Sequence, residues 1–370
     1  MDVRSRIIEL PTYEKYRLIV MSDIHGGLNS YKKLTEKVKL AENDYLIILG
    51  DFIEKGPYSK KLLEELKKIS KHKNRIIISG NCEAFISYLM KDINHCEKMY
   101  KYMGNKPYRS IFDDWIGELN VNLDETTPEE LHIRINKVYK EDIDFISTLP
   151  IGLEFDKFIF VHGGIDYIND WKDSSFRTLL ACDEFYKKGH KSDKIVVVGH
   201  WPTSNYKGFS GSGDVIIDKE KRIICIDGGY AVKIKGQMNA LIIEKDGGNY
   251  NISSEKIDDF TKYKVIEENK GSEKIPEKLG WPCNKIRIIE KKEEFSLCER
   301  IHNGEYINVK NELIEFDGKE YYCNQDYQEY FLTVNKGDEI RVAGIYGKYA
   351  LARFKDEYGW IETRKISVGE

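Results

Sequence analysis

Asp23 and His25 are two residues apart and come shortly after an apolar run, Tyr16 to Val20. At the end of a strand, a carboxylate and an imidazole with this spacing can both point at one cation. Gly26 and Gly27 allow the backbone to come close to a bound group. Such a pair is common by chance, so a metal site is predicted only if other parts of the chain supply further ligands.

Four more short apolar runs end in a residue that can bind metal. The residues at these ends are Asp51, Asn81, His162 and His200. In open α/β sheets, ligands bind beyond the carboxyl ends of the strands, so all these side chains are predicted to share one rim with the first pair. Each alone has a structural explanation as a turn, a helix cap or a packed side chain. Together they favour a metal site.

The chemical types of these ligands indicate the kind of metal. Carboxylate, imidazole and amide groups suit two hard or borderline divalent cations, and no thiolate is needed among the ligands. Asp51 follows the middle strand and is predicted to bridge the two ions. Paired metals activate water and hold phosphate oxygens, which is a common route to phosphoester hydrolysis.

The elements that position these residues alternate along the chain. Apolar runs at 17–22, 45–49 and 75–79 are followed by helical patterns at 30–41, 59–70 and 83–92. Three strand–helix units in a row predict parallel strands with right-handed crossovers in an α/β fold. Later short strands, separated by turn residues, are predicted to close the sheet in antiparallel fashion.

The chain of 370 residues is long enough for two domains. Residues 1–245 are predicted to form the catalytic domain, with a helical insertion at about 94–148. The polar stretch 246–280 is predicted to be a linker. Residues 281–370 show short alternating strands with almost no helical period, which predicts a small all-β module.

Composition excludes several classes of protein. The net charge of −4 gives no reason to expect a nucleic-acid partner. No apolar run approaches the roughly 20 residues needed to span a bilayer, and the N-terminus lacks the apolar core of a signal peptide. Seven scattered cysteines, an odd number, favour reduced thiols. The chain is therefore predicted to be cytoplasmic, with no membrane partner.

Five segments together resemble the calcineurin-like metallophosphoesterases, and among these most resemble the bacterial phosphoprotein phosphatase branch, which includes diadenosine tetraphosphatases. The segments are Asp23-Ile-His-Gly26, Gly50-Asp-Phe-Ile-Glu-Lys-Gly56, Gly80-Asn-Cys-Glu83, Val161-His-Gly-Gly164 and Val198-Gly-His200. The resemblance extends from about residue 17 to residue 243. It implies a metallophosphoesterase β-sandwich of two sheets flanked by helices.

The resemblance also implies a ligand set for two divalent metal ions, with manganese as the first expectation and iron or zinc as alternatives. One ion would be held by Asp23, His25 and Asp51, and the other by Asp51, Asn81, His162 and His200. The segment Ile226-Asp-Gly-Gly229 is similar to a late turn of the family. Asp227 there either supports the ligands from outside or forms an ordinary turn.

Four positions depart from the family pattern. Cys82 stands where the family has the histidine that protonates the leaving oxygen. Glu54 replaces an aspartate, and Lys55 replaces an arginine, which keeps the charge but loses the bidentate fork on phosphate. The family's second phosphate-binding arginine has no counterpart in its usual segment, although Arg177 lies nearby. These changes predict reduced activity on alkyl phosphates.

The resemblance thus implies a dinuclear-metal-dependent phosphoester hydrolase of the phosphoprotein phosphatase type, in which a hydroxide bridging the metals attacks phosphorus. Cys82, Glu54 and Lys55 are the predicted catalytic residues, with Glu54 orienting Cys82 or supplying a proton itself. Lys55, Asn81 and Arg177 are predicted to bind the substrate, a phosphorylated protein or a nucleotide. Two alternatives stay open: a pseudophosphatase that binds such ligands with its metals, and a diadenosine tetraphosphatase or phosphodiesterase.

The C-terminal module resembles bacterial SH3-like domains. Gly-Asp-Glu-Ile at 337–340 and Gly-Trp-Ile at 359–361 are the segments that carry the similarity. The resemblance implies a small barrel that binds a peptide or a partner protein. The alternative is any small β-barrel in which Trp360 belongs to the core.

Overall fold

The computed structural model describes residues 3–106, 108–206, 212–273, 278–355 and 357–369, which form two units. Unit 1 contains the described residues up to 206 together with 213–232 and 236–257. Unit 2 contains residue 212, residues 233–235 and the described residues from 258 onwards.

Unit 1 contains both strands and helices. Its strands are β1 Ile7–Leu10, β2 Lys15–Met21, β3 Tyr45–Leu49, β4 Arg75–Ile78, β5 Gly152–Phe155, β6 Phe158–Phe160, β7 Ile195–Val198, β8 Ile216–Asp218, β9 Ile223–Cys225, β10 Met238–Asp246 and β11 Asn249–Ile257. Its α-helices are α1 Leu28–Lys37, α2 Ser59–Ile69, α3 Asn81–Lys91, α4 Cys96–Asn105, α5 Ile111–Leu119, α6 Pro128–Val138, α7 Lys140–Thr148, α8 Phe176–Leu180, α9 Phe185–Lys188 and α10 Thr203–Tyr206.

The strands of unit 1 form two sheets. One has the order β11-β10-β2-β3-β4 and the other β1-β5-β6-β7-β9-β8. β2, β3 and β4 are parallel to one another, and so are β6, β7 and β9. The later strands β8 and β10 pair in antiparallel fashion with their neighbours. The predicted mixed α/β fold with several sheets is therefore confirmed.

Alternation along β2 shows how the sheets are packed. Leu18 and Val20 are buried in a core that also contains Phe155 and Phe160 of the other sheet. Ile19 and Met21 point to the opposite face, where the helices cover the sheet. Successive side chains of a strand point to opposite faces, so a continuous apolar run is what a strand buried on both sides requires.

The stretch predicted to be a helical insertion contains helices α4 to α7. α6 starts from Thr127, whose hydroxyl accepts from the backbone N–H of Glu130, while the Glu130 carboxylate accepts from the backbone N–H of Thr127. This reciprocal cap is the one that the Thr-Thr-Pro-Glu-Glu segment predicts. Phe112 and Trp115 of α5 are fully buried against the helical side of the sheet.

The stretch 246–280 differs from the linker that its polar composition predicts. It contains all of β11, which pairs with β10 at the edge of a sheet in unit 1, and all of β12, which belongs to unit 2. Residues of β11 alternate between exposed and half-buried, because an edge strand packs only part of one face. Such a strand needs few apolar residues, so polarity does not separate it from a linker.

Unit 2 is built of antiparallel strands. They are β12 Thr261–Val265, β13 Lys285–Glu290, β14 Phe295–Arg300, β15 Tyr306–Lys310, β16 Ile314–Phe316, β17 Tyr321–Cys323, β18 Glu339–Tyr346, β19 Tyr349–Phe354, β20 Glu357–Glu362 and β21 Ile366–Val368. They form two five-stranded sheets with the orders β20-β19-β18-β12-β21 and β15-β14-β13-β17-β16. Trp360 is fully buried in this unit.

Membrane insertion through a helix has no support in the described residues, where every helix is too short or too polar to cross a bilayer.

Candidate metal centre

The six predicted ligands come from both sheets of unit 1 and lie beyond the carboxyl ends of their strands. They are Asp23 and His25 after β2, Asp51 after β3, Asn81 after β4, His162 after β6 and His200 after β7. The two sheets meet at this rim, where Nδ1 of His162 donates to the carbonyl oxygen of Leu49 in the other sheet at 2.7 Å. The structure therefore brings all six side chains to one place.

Four of these residues have a left-handed backbone. Their φ angles are +53° at Asp23, +46° at His25, +51° at Asp51 and +64° at His200. This region costs a residue with a side chain about 1–2 kcal/mol, and such strain gathers at functional sites. The fold thus maintains unfavourable turns at the positions of the predicted ligands.

Lone pairs converge at the ligands of the second predicted ion. Nδ1 of His162 donates to the carbonyl oxygen of Leu49, and its Nε2 is 3.1 Å from Oδ1 of Asn81 and 3.4 Å from Oδ1 of Asp51. The same Asn81 oxygen is 2.8 Å from Nδ1 of His200. Acceptor atoms this close repel one another unless a proton or a cation lies between them. The donor set therefore fits a divalent cation.

A positive charge already occupies the other end of the site. Nδ1 of His25 lies 3.3 Å from the carbonyl oxygen of Ile53. Nε2 of the same histidine lies 3.1 Å from the Lys55 ammonium. A carbonyl that holds one imidazole nitrogen and leaves the other for a metal is the usual arrangement around ligand histidines. Oδ1 of Asp23 lies 3.8 Å from the same Nε2. The ammonium thus marks a place where these ligands accept a cation.

Burial makes the carboxylates of the site depend on a cation. Burial and the nearby Asp51 raise the pKa of Asp23 to about 8. Burial alone would raise the pKa of Asp51, but His162 and Lys55 hold it below its usual value. Burial also lowers the pKa of His25 to about 3, which keeps its imidazole neutral and able to bind metal. A divalent cation would relieve the repulsion between the two acids.

Two groups of buried side chains have ligand atoms that all lie within 4.8 Å of one another. One consists of Asp23, Asp51 and His162, and the other of His25, Asp51 and Cys82. Asp51 belongs to both, but the groups divide the other side chains differently from the ligand sets that the resemblance implies, because Asp23 lies with His162 and His25 lies with Cys82. Sγ of Cys82 donates to Oδ2 of Asp51 at 3.0 Å, and the backbone N–H of Cys82 donates to Oδ1 at 2.8 Å.

Glu83 organises the loop that carries Asp51, a role that was not predicted from the segment Gly80-Asn-Cys-Glu83. Its fully buried carboxylate accepts four backbone N–H groups. They belong to Asp51 at 2.8 Å, Phe52 at 2.9 Å, Ile53 at 3.1 Å and Gly80 at 2.8 Å. The spacing Gly80-x-x-Glu83 before a helix is that of a capping box, which is the sequence signal for this role.

Close approach of backbone and ligand explains two glycines. A Cβ on Gly80 would lie 2.3 Å from Oδ1 of Asp51, and a Cβ on Gly56 would lie 1.8 Å from the carbonyl oxygen of His25. No larger residue fits at either place without moving a ligand. Gly80 is also the N-cap of α3, so Asn81, for which a capping role was an alternative, is the first helical residue and faces the histidines.

We expect Glu83→Gln to lower the free energy of unfolding by about 3 kcal/mol, because the amide N–H₂ group would face backbone donors and leave buried groups unpaired. Urea unfolding of the metal-free protein measures this change. The exposed Glu36 on α1 provides a matched control, since Glu36→Gln should change the free energy by less than about 0.5 kcal/mol. Equal effects of the two substitutions would contradict the assignment.

Glu54 is tied to the helical segment rather than turned toward the rim. Its Oε1 accepts from the hydroxyl of Ser110 and from the backbone N–H of Ile111, both at 2.8 Å. The Tyr102 hydroxyl donates to Oε2. Tyr102 lies on α4 and Ile111 begins α5, so Glu54 fixes these helices to the loop that follows Asp51.

Arg177 and Asp227 are the remaining residues that the sequence singled out. Arg177 is exposed on α8, whose residue Leu179 accepts from the backbone N–H of Gly163 next to His162 at 2.7 Å. Asp227 is buried and accepts from the N–H of Gly229 at 2.7 Å in a turn, and burial together with the nearby Asp23 carboxylate raises its pKa, so this turn also lies beside a predicted ligand. Asp183, which no sequence signal indicated, lies 3.3 Å from Nε2 of His200.

A family model described as calcineurin-like phosphoesterase matches residues 16–234, more than half of the chain. Two curated proteins are also similar. A symmetrical bis(5'-nucleosyl)-tetraphosphatase of Wigglesworthia glossinidia brevipalpis is 24% identical over 169 residues, which are 42% of this chain and 61% of that protein. The asymmetrical bis(5'-nucleosyl)-tetraphosphatase PrpE of Oceanobacillus iheyensis is 21% identical over 216 residues, 50% of this chain and 77% of that protein.

Among solved structures, a protein serine/threonine phosphatase from Saccharomyces cerevisiae is 15% identical. The match covers 70% of this chain and 87% of the yeast chain, with a TM-score of 0.42.

Proposed function

The chain belongs to the calcineurin-like phosphoesterase family, and from that premise we propose that it is a hydrolase of phosphoesters and phosphoanhydrides that depends on two divalent metal ions. The observation that carries the proposal is the convergence of six ligand side chains from two sheets, with Asp51 common to both groups of ligand atoms. The similarity to two bis(5'-nucleosyl)-tetraphosphatases supports a nucleotide substrate.

The two ions share one ligand, Asp51, in this proposal. Asp23 and His25 complete the ligand set of the first ion. Asn81, His162 and His200 complete the ligand set of the second ion. When bound, such a metal pair supplies an activated water and neutralises charge on phosphate oxygens. Manganese is the first candidate, and iron and zinc remain alternatives.

Substrate binding is assigned to two basic residues and one amide, which are Lys55, Arg177 and Asn81. Lys55 is mostly buried, and the Asp23 and Asp51 carboxylates outweigh its burial and hold the pKa of its ammonium above the ordinary value. Its charge is therefore available for a phosphate at neutral pH, though without the two-point grip of an arginine. Arg177 would contribute from α8, and Asn81 from the start of α3.

Cys82 stands at the position of the leaving-group acid, but its thiol is hydrogen-bonded to Asp51 at 3.0 Å. Glu54 accepts three hydrogen bonds from the helical segment, so its carboxylate positions that segment and does not act on the leaving group. A general acid is typically worth about 10²–10⁴-fold. We therefore place the preferred substrates among those whose leaving group needs no proton, such as the phosphoanhydrides of dinucleoside tetraphosphates.

A comparison of three substrates tests the proposal. We expect the manganese-loaded protein to turn over diadenosine tetraphosphate at least about 10²-fold faster than a phosphoserine peptide, because a departing phosphate is a weak base and a serine alkoxide is not. Bis-p-nitrophenyl phosphate reports phosphodiesterase activity. Equal rates on the first two would contradict the leaving-group argument. Metal binding without product from any substrate would contradict the proposed hydrolase and favour the pseudophosphatase alternative.

Unit 2 is proposed to be an SH3-like module that docks a peptide of a partner protein. Its antiparallel strands support this proposal, whereas the fully buried Trp360 agrees with the alternative, a β-barrel in which this tryptophan belongs to the core. Binding of a peptide library to the full chain tests it, and the absence of binding above background would contradict it. A cytoplasmic location is also proposed, and the seven free cysteines agree with it.

A further inference from the structure

We propose that Cys82 is a thiolate ligand of the metal position formed by His25 and Asp51. The inference rests on the metal-binding part of the proposed function, and it assigns to Cys82 a role different from that of a proton donor. It also implies a different metal preference from that of a site with oxygen and nitrogen ligands alone.

The position of the sulfur carries the inference. An imidazole nitrogen of His25, a carboxylate oxygen of Asp51 and Sγ of Cys82 form one of the two candidate metal groups of unit 1 in the described residues. All three side chains are buried, with 8% or less of each residue exposed. Sγ lies 3.0 Å from Oδ2 of Asp51, so an ion bound to that oxygen on the side of the sulfur would lie within reach of both atoms.

The backbone fixes the direction of the thiol. The N–H of Cys82 donates to Asp51 at 2.8 Å, and Cys82 is the second residue of α3, whose first turn is held by Glu83. A short side chain on a helix start that is anchored in this way has little freedom to turn elsewhere. The thiol therefore faces the bridging carboxylate rather than the open side of the rim.

A cation already lies at this group. The Lys55 ammonium is 3.1 Å from Nε2 of His25, and its charge interacts favourably with the carboxylates of Asp51 and Asp23. A divalent ion bound at the same nitrogen would displace this ammonium, and Lys55 would be free to face phosphate. On binding, the Sγ–H bond breaks, the proton passes to solvent, and the sulfur lone pair forms the bond to the metal.

A thiolate changes which metal the site selects. Soft sulfur ligands favour zinc over manganese, whereas carboxylate and amide ligands alone do not. A sulfur bound to metal also has no proton to give to a leaving group. The departure from the family at Cys82 would thus alter both metal choice and the range of substrates.

Spectroscopy of the full chain tests the inference without relying on activity. We expect the cobalt(II)-loaded protein to show a thiolate-to-cobalt charge-transfer absorption in the near ultraviolet. The zinc-loaded protein should show a zinc–sulfur distance of about 2.3 Å by X-ray absorption. Both measurements use the unsubstituted protein, so they do not depend on whether a variant folds. Bound metal without either signal would overturn the inference.

A variant and a control complete the test. Cys82→Ser should lose the charge-transfer absorption and weaken zinc binding at least about tenfold while manganese binding changes little. Cys96, another buried cysteine of unit 1, begins α4, and Cys96→Ser should keep the absorption. If metal is bound and substrates are hydrolysed but the sulfur signals are missing, only this inference fails. If the sulfur signals are present without hydrolysis, only the proposed activity fails.

Discussion

Asp51→Asn is expected to lower turnover on diadenosine tetraphosphate by about 10³-fold or more and to reduce metal binding below two ions per chain. Asp51 is the residue that both candidate metal groups share. Its Oδ1 lies 3.4 Å from His162 and its Oδ2 lies 3.0 Å from Cys82. An amide keeps one oxygen but loses the charge, so neither ion would keep its bridging ligand. Turnover and elemental analysis of the purified variant measure the two effects.

The same substitution should not unfold the metal-free protein. Asp51 and Asp23 are buried acids that repel each other, and removing one charge relieves that repulsion. A matched control is Asp156→Asn at the opposite end of β6, where the carboxylate pairs with Lys245 at 2.8 Å. This control should retain turnover within about threefold. If Asp51→Asn retained more than a tenth of the activity with a full complement of metal, the bridging role would be contradicted.

Cys82→His should raise turnover on a phosphoserine peptide about 10²-fold while changing turnover on p-nitrophenyl phosphate much less. An imidazole at this position can carry a proton at neutral pH and give it to the departing alkoxide. A p-nitrophenolate leaving group needs no such proton. Paired measurements on the two substrates give the ratio that matters, since a general change in metal binding would affect both.

Cys82→Asn is the appropriate control for this substitution. Its side chain has a similar length and a polar end, but it cannot act as an acid near neutral pH. It should leave the ratio between the two substrates unchanged. A rise of equal size on both substrates with Cys82→His would show that the leaving-group argument is wrong.

The rim of ligands could be predicted from the sequence for a physical reason. Strands buried on both faces are continuous apolar runs, so their ends are easy to locate, and parallel strands bring those ends to one edge. Asp23 and Asp51 follow two such runs and lie where expected. His162 follows a run of only three strand residues, yet the hydrogen bond from its Nδ1 to the carbonyl oxygen of Leu49 shows how the second sheet completes the rim.

The roles of Glu54 and Asp183 could not be predicted in the same way. The partners of Glu54, Tyr102 and Ser110, come about 50 residues later and from a helical segment whose packing has no simple sequence pattern. Asp183 approaches His200 from a loop. Hydrogen bonds between distant segments depend on the tertiary fold, and residue type and local spacing do not specify them.

The edge strand β11 and the sheets of unit 2 show a second limit. β11 has nine residues with a polar composition, and only its pairing with β10 makes it a strand. In unit 2, β12 pairs with β18 and β21, which are more than 70 residues away along the chain. Alternation predicts that strands exist, but it does not specify which strands pair when the connections are long.

The most direct test of the account is a metal titration of turnover. Protein stripped of metal and supplied with increasing Mn²⁺ should begin to hydrolyse diadenosine tetraphosphate and reach a plateau at two equivalents per chain, because the proposed function assigns Asp51 to the ligand sets of both ions. The plateau should vanish in Asp51→Asn. Hydrolysis that is independent of added metal, or none at any ratio despite metal binding, would contradict the proposal of a metal-dependent phosphoester hydrolase.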